Sequence, residues 1–112
     1  MALASLSAFA HYAVFSLGQV KNASGNTSVF NKSYAGKTRI VEFKNMGTKE
    51  IFIHHMRFNE PQESTIISAD ELKVGPGETA REVFFDVPVF LRSVDFYVEG
   101  QTELLEVYGV IP

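Results

Sequence analysis

The segment Val94-Asp95-Phe96-Tyr97-Val98-Glu99 alternates apolar side chains with polar or polar-tipped ones without a break. Successive side chains of a β-strand point to opposite faces, so this order buries Val94, Phe96 and Val98 and turns Asp95, Tyr97 and Glu99 outward. Arg39-Ile40-Val41-Glu42-Phe43 takes polar and apolar residues in turn in the same way, and Val83, Phe85 and Val87 alternate with Phe84 and Asp86. Working outward from these segments, short runs rich in Val, Ile, Phe, Thr and Tyr recur at 27–34, 38–45, 49–58, 64–68, 80–87, 92–99 and 102–110. Turn signals separate them at the spacing of a sandwich or barrel. Ala69-Asp70-Glu71-Leu72 has room for one short helical turn, and no longer helical pattern lies in this part of the chain. The expected fold is all-β, one antiparallel β-sandwich of about seven strands over residues 27–112.

The turns are expected to make hairpins. Asn45-Met46-Gly47-Thr48 places Asn and Gly where a tight reversal needs positive φ, and Glu99-Gly100-Gln101 does the same before the last strand. Gly75-Pro76-Gly77-Glu78 marks a loop between sheets, because proline lacks a donor and fixes φ. Asn59-Glu60-Pro61-Gln62 is a second such loop.

Phe43-Lys44-Asn45-Met46-Gly47-Thr48, followed at a distance by Leu72-Lys73-Val74-Gly75-Pro76-Gly77-Glu78-Thr79, resembles the turn layout of bacterial and archaeal immunoglobulin-like domains of the cell-adhesion-related type. The resemblance implies a seven-stranded immunoglobulin-like sandwich used for display or adhesion, and it carries over no catalytic or binding residue. The residues in front of residue 27 depart from that family's pattern. An uncharged segment before such a sandwich is similar to the layout of archaeal pilins, but the basic stretch and the longer apolar helix of those proteins are missing.

A chain of 112 residues fits one domain. Ten Phe against four Tyr and no Trp make the core, or a contact surface, Phe-rich. Cysteine is absent, which excludes disulfides and thiolate metal sites. The formal charge of −3, with no long Lys/Arg cluster, makes nucleic acid an unexpected partner.

The first charged residue is Lys21, so residues 1–20 form an uncharged apolar arm and 21–26 a polar linker to the sandwich. Leu3, Leu6, Ala10, Ala13, Leu17 and Val20 alternate spacings of three and four, which lays them on one stripe of a helix. The alternation of residues 11–16 equally allows a strand. Four fates fit the arm: a cleaved export signal around Ala8-Phe9-Ala10, a membrane-spanning helix, packing on its own domain, or burial against neighbouring subunits. The last is the expected one. No basic residue precedes the apolar run, and its Ser, His and Gln residues soften it as a membrane span.

Candidate chemistry is sparse. His54 and His55 are adjacent, and on a regular strand they point to opposite faces, so no metal site is expected from them. Asp95 and Glu99 share one strand face with Tyr97 between them, a pattern that a solvated face explains without catalysis. No nucleophile elbow, phosphate-cradling glycine run or zinc-protease motif is present. Neither enzymatic activity nor a cofactor is expected. Asn22, Asn26 and Asn31 each begin an N-x-S/T sequon, a glycosylated collar if the chain is exported, but Asn and Ser are what flexible linkers and edge strands contain anyway, and that is the reading favoured. Phe84, Phe90, Tyr97 and Tyr108 are aromatics at positions expected to face outward, and they form the candidate contact face.

The expected function is that of a structural subunit in a surface assembly: a virion coat, decoration or cement protein, or a pilin-like filament subunit. Its partners are copies of itself or a scaffold protein, and its place is the virion or cell surface. The alternative is a recognition module for carbohydrate or protein, held to a membrane by residues 1–20.

Overall fold

The computed structural model describes residues 13–30, 37–61, 64–83 and 89–111. Among these every regular element is a strand. The strands are β1 (Ala13–Phe30), β2 (Lys37–Thr38), β3 (Ile40–Asn45), β4 (Ile51–Asn59), β5 (Thr65–Ser68), β6 (Leu72–Val74), β7 (Thr79–Val83), β8 (Val89–Phe90) and β9 (Ser93–Ile111). Seven of them form one antiparallel sheet in the order β5-β4-β9-β3-β7, with β1 added on β9 and β6 on β4, while β2 and β8 make a separate pair.

Strand β9 organises this sheet. Its first stretch pairs with β4, from Asn59↔Ser93 to Phe52↔Glu99, and its second with β3, from Asn45↔Leu105 to Ile40↔Val110. β1 runs along the other edge of both stretches. The change of partner occurs at Gly100, whose φ of +94° suits a residue without Cβ. Opposite it, Gly25 has φ +70°, and the Ser24 hydroxyl donates to the Gly100 carbonyl at 3.0 Å. The two-stranded ribbon thus bends as a unit. Val94, Phe96 and Val98 before the bend, and Leu105 and Val107 after it, all enter one core. Phe43 of β3 meets Phe96 edge to face at 5.1 Å, so β3, the partner of the second stretch, packs on the first. Ile51, Ile53, Met56, Phe58 and Val74 complete the interior with no solvent exposure. Full burial of one such side chain contributes on the order of 1.5–3 kcal/mol.

The polar centre of the fold is Asn45, which is fully buried. Its amide nitrogen donates to the Lys49 carbonyl at 2.7 Å and the Val74 carbonyl at 3.0 Å. Its side-chain oxygen accepts from Gly47 N at 3.0 Å and Thr102 Oγ1 at 2.5 Å. Its backbone N donates to the Glu78 carbonyl, and its own carbonyl accepts from Gly77 N. One residue therefore ties together the β3–β4 connection, β6, the β6–β7 turn and β9.

Several expectations change in this light. Residues 13–20 of the arm are strand, not helix: Leu17 is buried, Val20 packs partly on the core, and Ala13 is exposed. A helical stripe is therefore not what unites these three positions. Leu3, Leu6 and Ala10 lie outside the described residues. Residues 21–26, expected as a linker, continue β1, because pairing with β9 supplies partners that a lone polar stretch lacks. Glu99-Gly100-Gln101 is a bend within β9, not a reversal, since β1 and the strands of the sheet hold both sides of it. Asn45–Thr48 is not a hairpin either: β3 and β4 are not paired with each other, and the segment links β3 to β4 across the core. Gly47 is needed there because a Cβ would collide with the Thr102 hydroxyl and the Glu103 backbone, not because of positive φ. The Gly75–Glu78 turn is not a loop between sheets: β6 and β7, which it connects, belong to one seven-stranded sheet, where they pair with β4 and β3.

Two outcomes test this account. Replacing Asn45 by Ala leaves buried carbonyls and an amide without partners and is expected to destabilise by about 3 kcal/mol, read as a lower urea midpoint with unchanged slope. The Glu103 carboxylate is held below its ordinary range, chiefly by the hydrogen bond from the Thr48 hydroxyl. A depressed carboxylate pKa contributes stability that is present above the unfolded value and lost as pH falls through the folded one. Thr48→Ala is therefore expected to reduce stability at neutral pH and to have no such effect below the folded pKa, in urea titrations at the two pH values.

Candidate functional site

Strand β4 carries an irregularity that creates the most distinctive surface of the molecule. His54 pairs with Tyr97 and Arg57 with Asp95, so three steps on β4 match two on β9, and one residue is inserted. His55 takes φ +54°, a left-handed conformation uncommon for residues other than glycine. The insertion also lets both Ile53 and Met56 turn inward, although they differ in strand parity.

The expectation that the two histidines point to opposite faces is thereby corrected. Their rings lie 4.5 Å apart, with His54 half-buried and His55 exposed. Tyr97 packs against both, 5.1 Å from the His54 ring and 6.4 Å from that of His55. On one side of this cluster lies an open hollow of about 410 Å³, whose lining includes Asn26, Thr27, His55, Arg57, Asp95 and Tyr97.

A polar row across four strands fixes the hollow's border. Ser28 of β1 donates to Asp95 Oδ1 at 2.6 Å, and Asn59 of β4 donates to Asp95 Oδ2 at 2.8 Å. Thr65 of β5 donates to Asn59 Oδ1 at 2.9 Å. Both Asp95 oxygens are thus engaged in holding strands in register. On the other side of Tyr97, ligand atoms of His54, Glu71 and Glu99 lie within 4.8 Å of one another. They are the one group of this kind among the described residues, and they come from three neighbouring strands or their ends.

Tyr97 is 36% exposed, as expected of an outward-facing aromatic, and Phe90 is 40% exposed. Tyr108 is half-buried on the far side of the Gly100 bend, opposite Ser16 and Glu42. A hydrogen bond to the Glu106 carboxylate raises its phenol pKa above the ordinary value. Tyr97 and Tyr108 therefore sit on stretches of β9 that face different neighbours. Phe84 and Asn31 lie outside the described residues. Asn22 and Asn26 are exposed on β1, Asn22 with φ +52°. Val14, Phe30, Met46 and Ile67 are further large apolar side chains on the surface. Sequence reasoning passed over Arg57 and the grouping around His54. The signal that marks them is the parity change between Ile51 and Ile53 on one hand and Met56 and Phe58 on the other, which betrays the inserted residue.

No protein family matches the sequence, and no curated protein matches it. Among solved structures the chain is similar to a Bacteroides thetaiotaomicron protein described as an alpha-L-fucosidase. The two are 8% identical, and the match covers 85% of this chain and 22% of that one, with a TM-score of 0.53. The chain is also similar to the CBM32 of AlyQ (10% identity, 88% and 93% covered, TM-score 0.48) and to the coat protein of Tobacco streak virus (8% identity, 88% and 82% covered, TM-score 0.47). At 8% identity the first likeness is one of fold alone, and this chain spans about a fifth of that protein's length.

The left-handed conformation at His55 gives a test of the inserted residue. His55→Val places a β-branched side chain there and is expected to cost about 2 kcal/mol more than His55→Gly in chemical denaturation. Equal stabilities would mean that the backbone is regular at this point.

Proposed function

We propose that the chain is a non-enzymatic structural subunit of a surface assembly of the virion coat, decoration or cement kind. In this reading it is built on an immunoglobulin-like β-sandwich and joined to copies of itself along β1. The observation that carries this reading is the edge of β1. The strand is 18 residues long and pairs with β9 alone, so among the described residues no strand covers its outer edge. Edge strands of proteins that stay apart are short, or are guarded by charge, proline or bulges. β1 carries a single charge, Lys21, and no proline, and its exposed Val14 and Phe30 flank it with apolar surface. Two bulges interrupt it and leave stretches of about six residues free to pair.

A second copy fits this edge well. Antiparallel pairing of β1 with its own copy about a two-fold axis extends both sheets and needs no other complementary surface. Residues 1–12, which directly precede β1 in the sequence, carry no charged side chain. The hollow beside Tyr97 favours a second reading, a recognition module. An exposed aromatic ring flanked by Arg57, Asn26 and Asp95 is the kind of surface on which a sugar ring stacks and is hydrogen-bonded.

Size-exclusion chromatography with light scattering of the full chain is expected to find a dimer or larger species. The double variant Val14→Lys, Phe30→Lys is expected to be monomeric, with stability within about 0.5 kcal/mol of the parent at each of these exposed sites. A parent chain that stays monomeric at high concentration overturns the proposal. Retention of that monomer on a carbohydrate matrix, lost in Tyr97→Ala, would establish the second reading in its place.

A further inference from the structure

The geometry points to a divalent transition-metal site of the zinc class formed by His54, Glu71 and Glu99, independent of whether the chain self-assembles. Register brings these residues together. β6 pairs with β4 as Leu72↔Ile53, so the next step of the same antiparallel register sets Glu71 beside His54. On the other flank β4 pairs with β9 as His54↔Tyr97 and Phe52↔Glu99, which puts Glu99 one diagonal step away on the same outer face. Three adjacent strands thus aim one imidazole and two carboxylates at a single point, and the three ligand atoms lie within 4.8 Å of one another.

Two further observations concern His54 Nε2. It is shut off from solvent and has no hydrogen-bond partner, an uncommon state for a buried ring nitrogen and one that an ion would explain. It also stands 3.4 Å from Glu99 Oε1. That separation is too long for a good hydrogen bond, and it matches the spacing of about 3.3–3.4 Å between two ligands at tetrahedral angles on zinc, given metal–ligand distances near 2.0–2.1 Å. Glu71 and Glu99 are exposed, so their side chains are free to rotate and close the remaining distance, up to about 1.4 Å for the widest pair.

The donor set selects the ion. Hard oxygen-seeking ions such as calcium gather six or more oxygens, whereas one imidazole with two carboxylates suits zinc, with water completing the shell. The Tyr97 ring, packed on His54, holds the imidazole in place. A bound ion would clamp β6, β4 and β9 beside the inserted residue of β4, where the ladder is broken.

The test is isothermal titration of the untagged full chain with Zn²⁺, with Ca²⁺ as the comparison ion. One Zn²⁺ per chain is expected, with Ca²⁺ bound at least about a hundredfold more weakly. Glu71→Gln and Glu99→Gln change exposed side chains and leave the fold intact. Each is expected to weaken Zn²⁺ binding at least about tenfold, and His54→Gln to abolish it. With Co²⁺ as the probe, visible absorption of four-coordinate intensity is expected in the parent and lost in Glu99→Gln. His55→Gln is expected to bind as the parent does, because His55 faces the hollow. The proposal is overturned by absence of saturable Zn²⁺ binding, or by unchanged affinity in both glutamine variants, as a site built on His11 would give. A loss in His55→Gln equal to that in Glu71→Gln overturns the ligand assignment.

Discussion

Everything in this fold depends on β9 being hydrogen-bonded along both edges for most of its 19 residues. A strand in that position has no freedom to slip, because a shift of one residue would turn Val94, Phe96 and Val98 out of the core together. Its partners inherit the register. β4 and β3 are placed end to end along one edge and β1 along the other, and the bend at Gly100 and Gly25 turns the two stretches so that Phe43 and Phe96 meet. Asn45 then closes the arrangement from the polar side. Burial makes each of its hydrogen bonds count, since an amide left unpaired in such a place costs far more than a paired one contributes.

The same constraint builds the surface. Tyr97, Asp95 and Glu99 face outward because their neighbours in sequence are held inward, and β4 answers with an inserted residue that keeps both its own apolar pairs buried. The insertion gathers His54, His55 and Tyr97 into one cluster and separates two regions. On one side is a polar hollow with Arg57 and Asp95, and on the other a convergence of His54 with two carboxylates. Strand irregularities that re-aim side chains are common beside functional sites, and here the re-aimed residues are the chemically versatile ones. The outer edge of β1, which no strand among the described residues covers, is a separate feature on the opposite side of β9.

The alternating segments were legible because one buried face writes a period of two into the chain. Val94, Phe96 and Val98 are buried as read, and Val41 and Phe43 with them. Reading stopped at positions whose conformation depends on a distant partner. Gly25 and Gly100 look like punctuation in a sequence, and they are the two halves of one bend. Residues 21–26 have linker composition, and a strand forms there because β9 lies alongside. Leu17 and Val20 fit a helical spacing equally well, and burial against the core occurs in an extended chain. For the site, the separate residues His54, His55 and Tyr97 could be picked out, but Glu71 and Arg57 could not, since their relevance comes from strands paired across the sheet.

What the sequence determined by itself is therefore local and periodic: an all-β chain, the inward and outward faces of its regular strands, the absence of thiol chemistry, and an uncharged leading segment. Tertiary structure decided which glycines bend a strand and which allow close approach. It decided that the leading segment from Ala13 is a strand paired along β9, and that two neighbouring histidines share a face. The physical reason is that alternation reports only the side of a strand on which water lies. Neither register nor a bulge can be settled until a second strand, far off in the chain, supplies the hydrogen bonds that fix it.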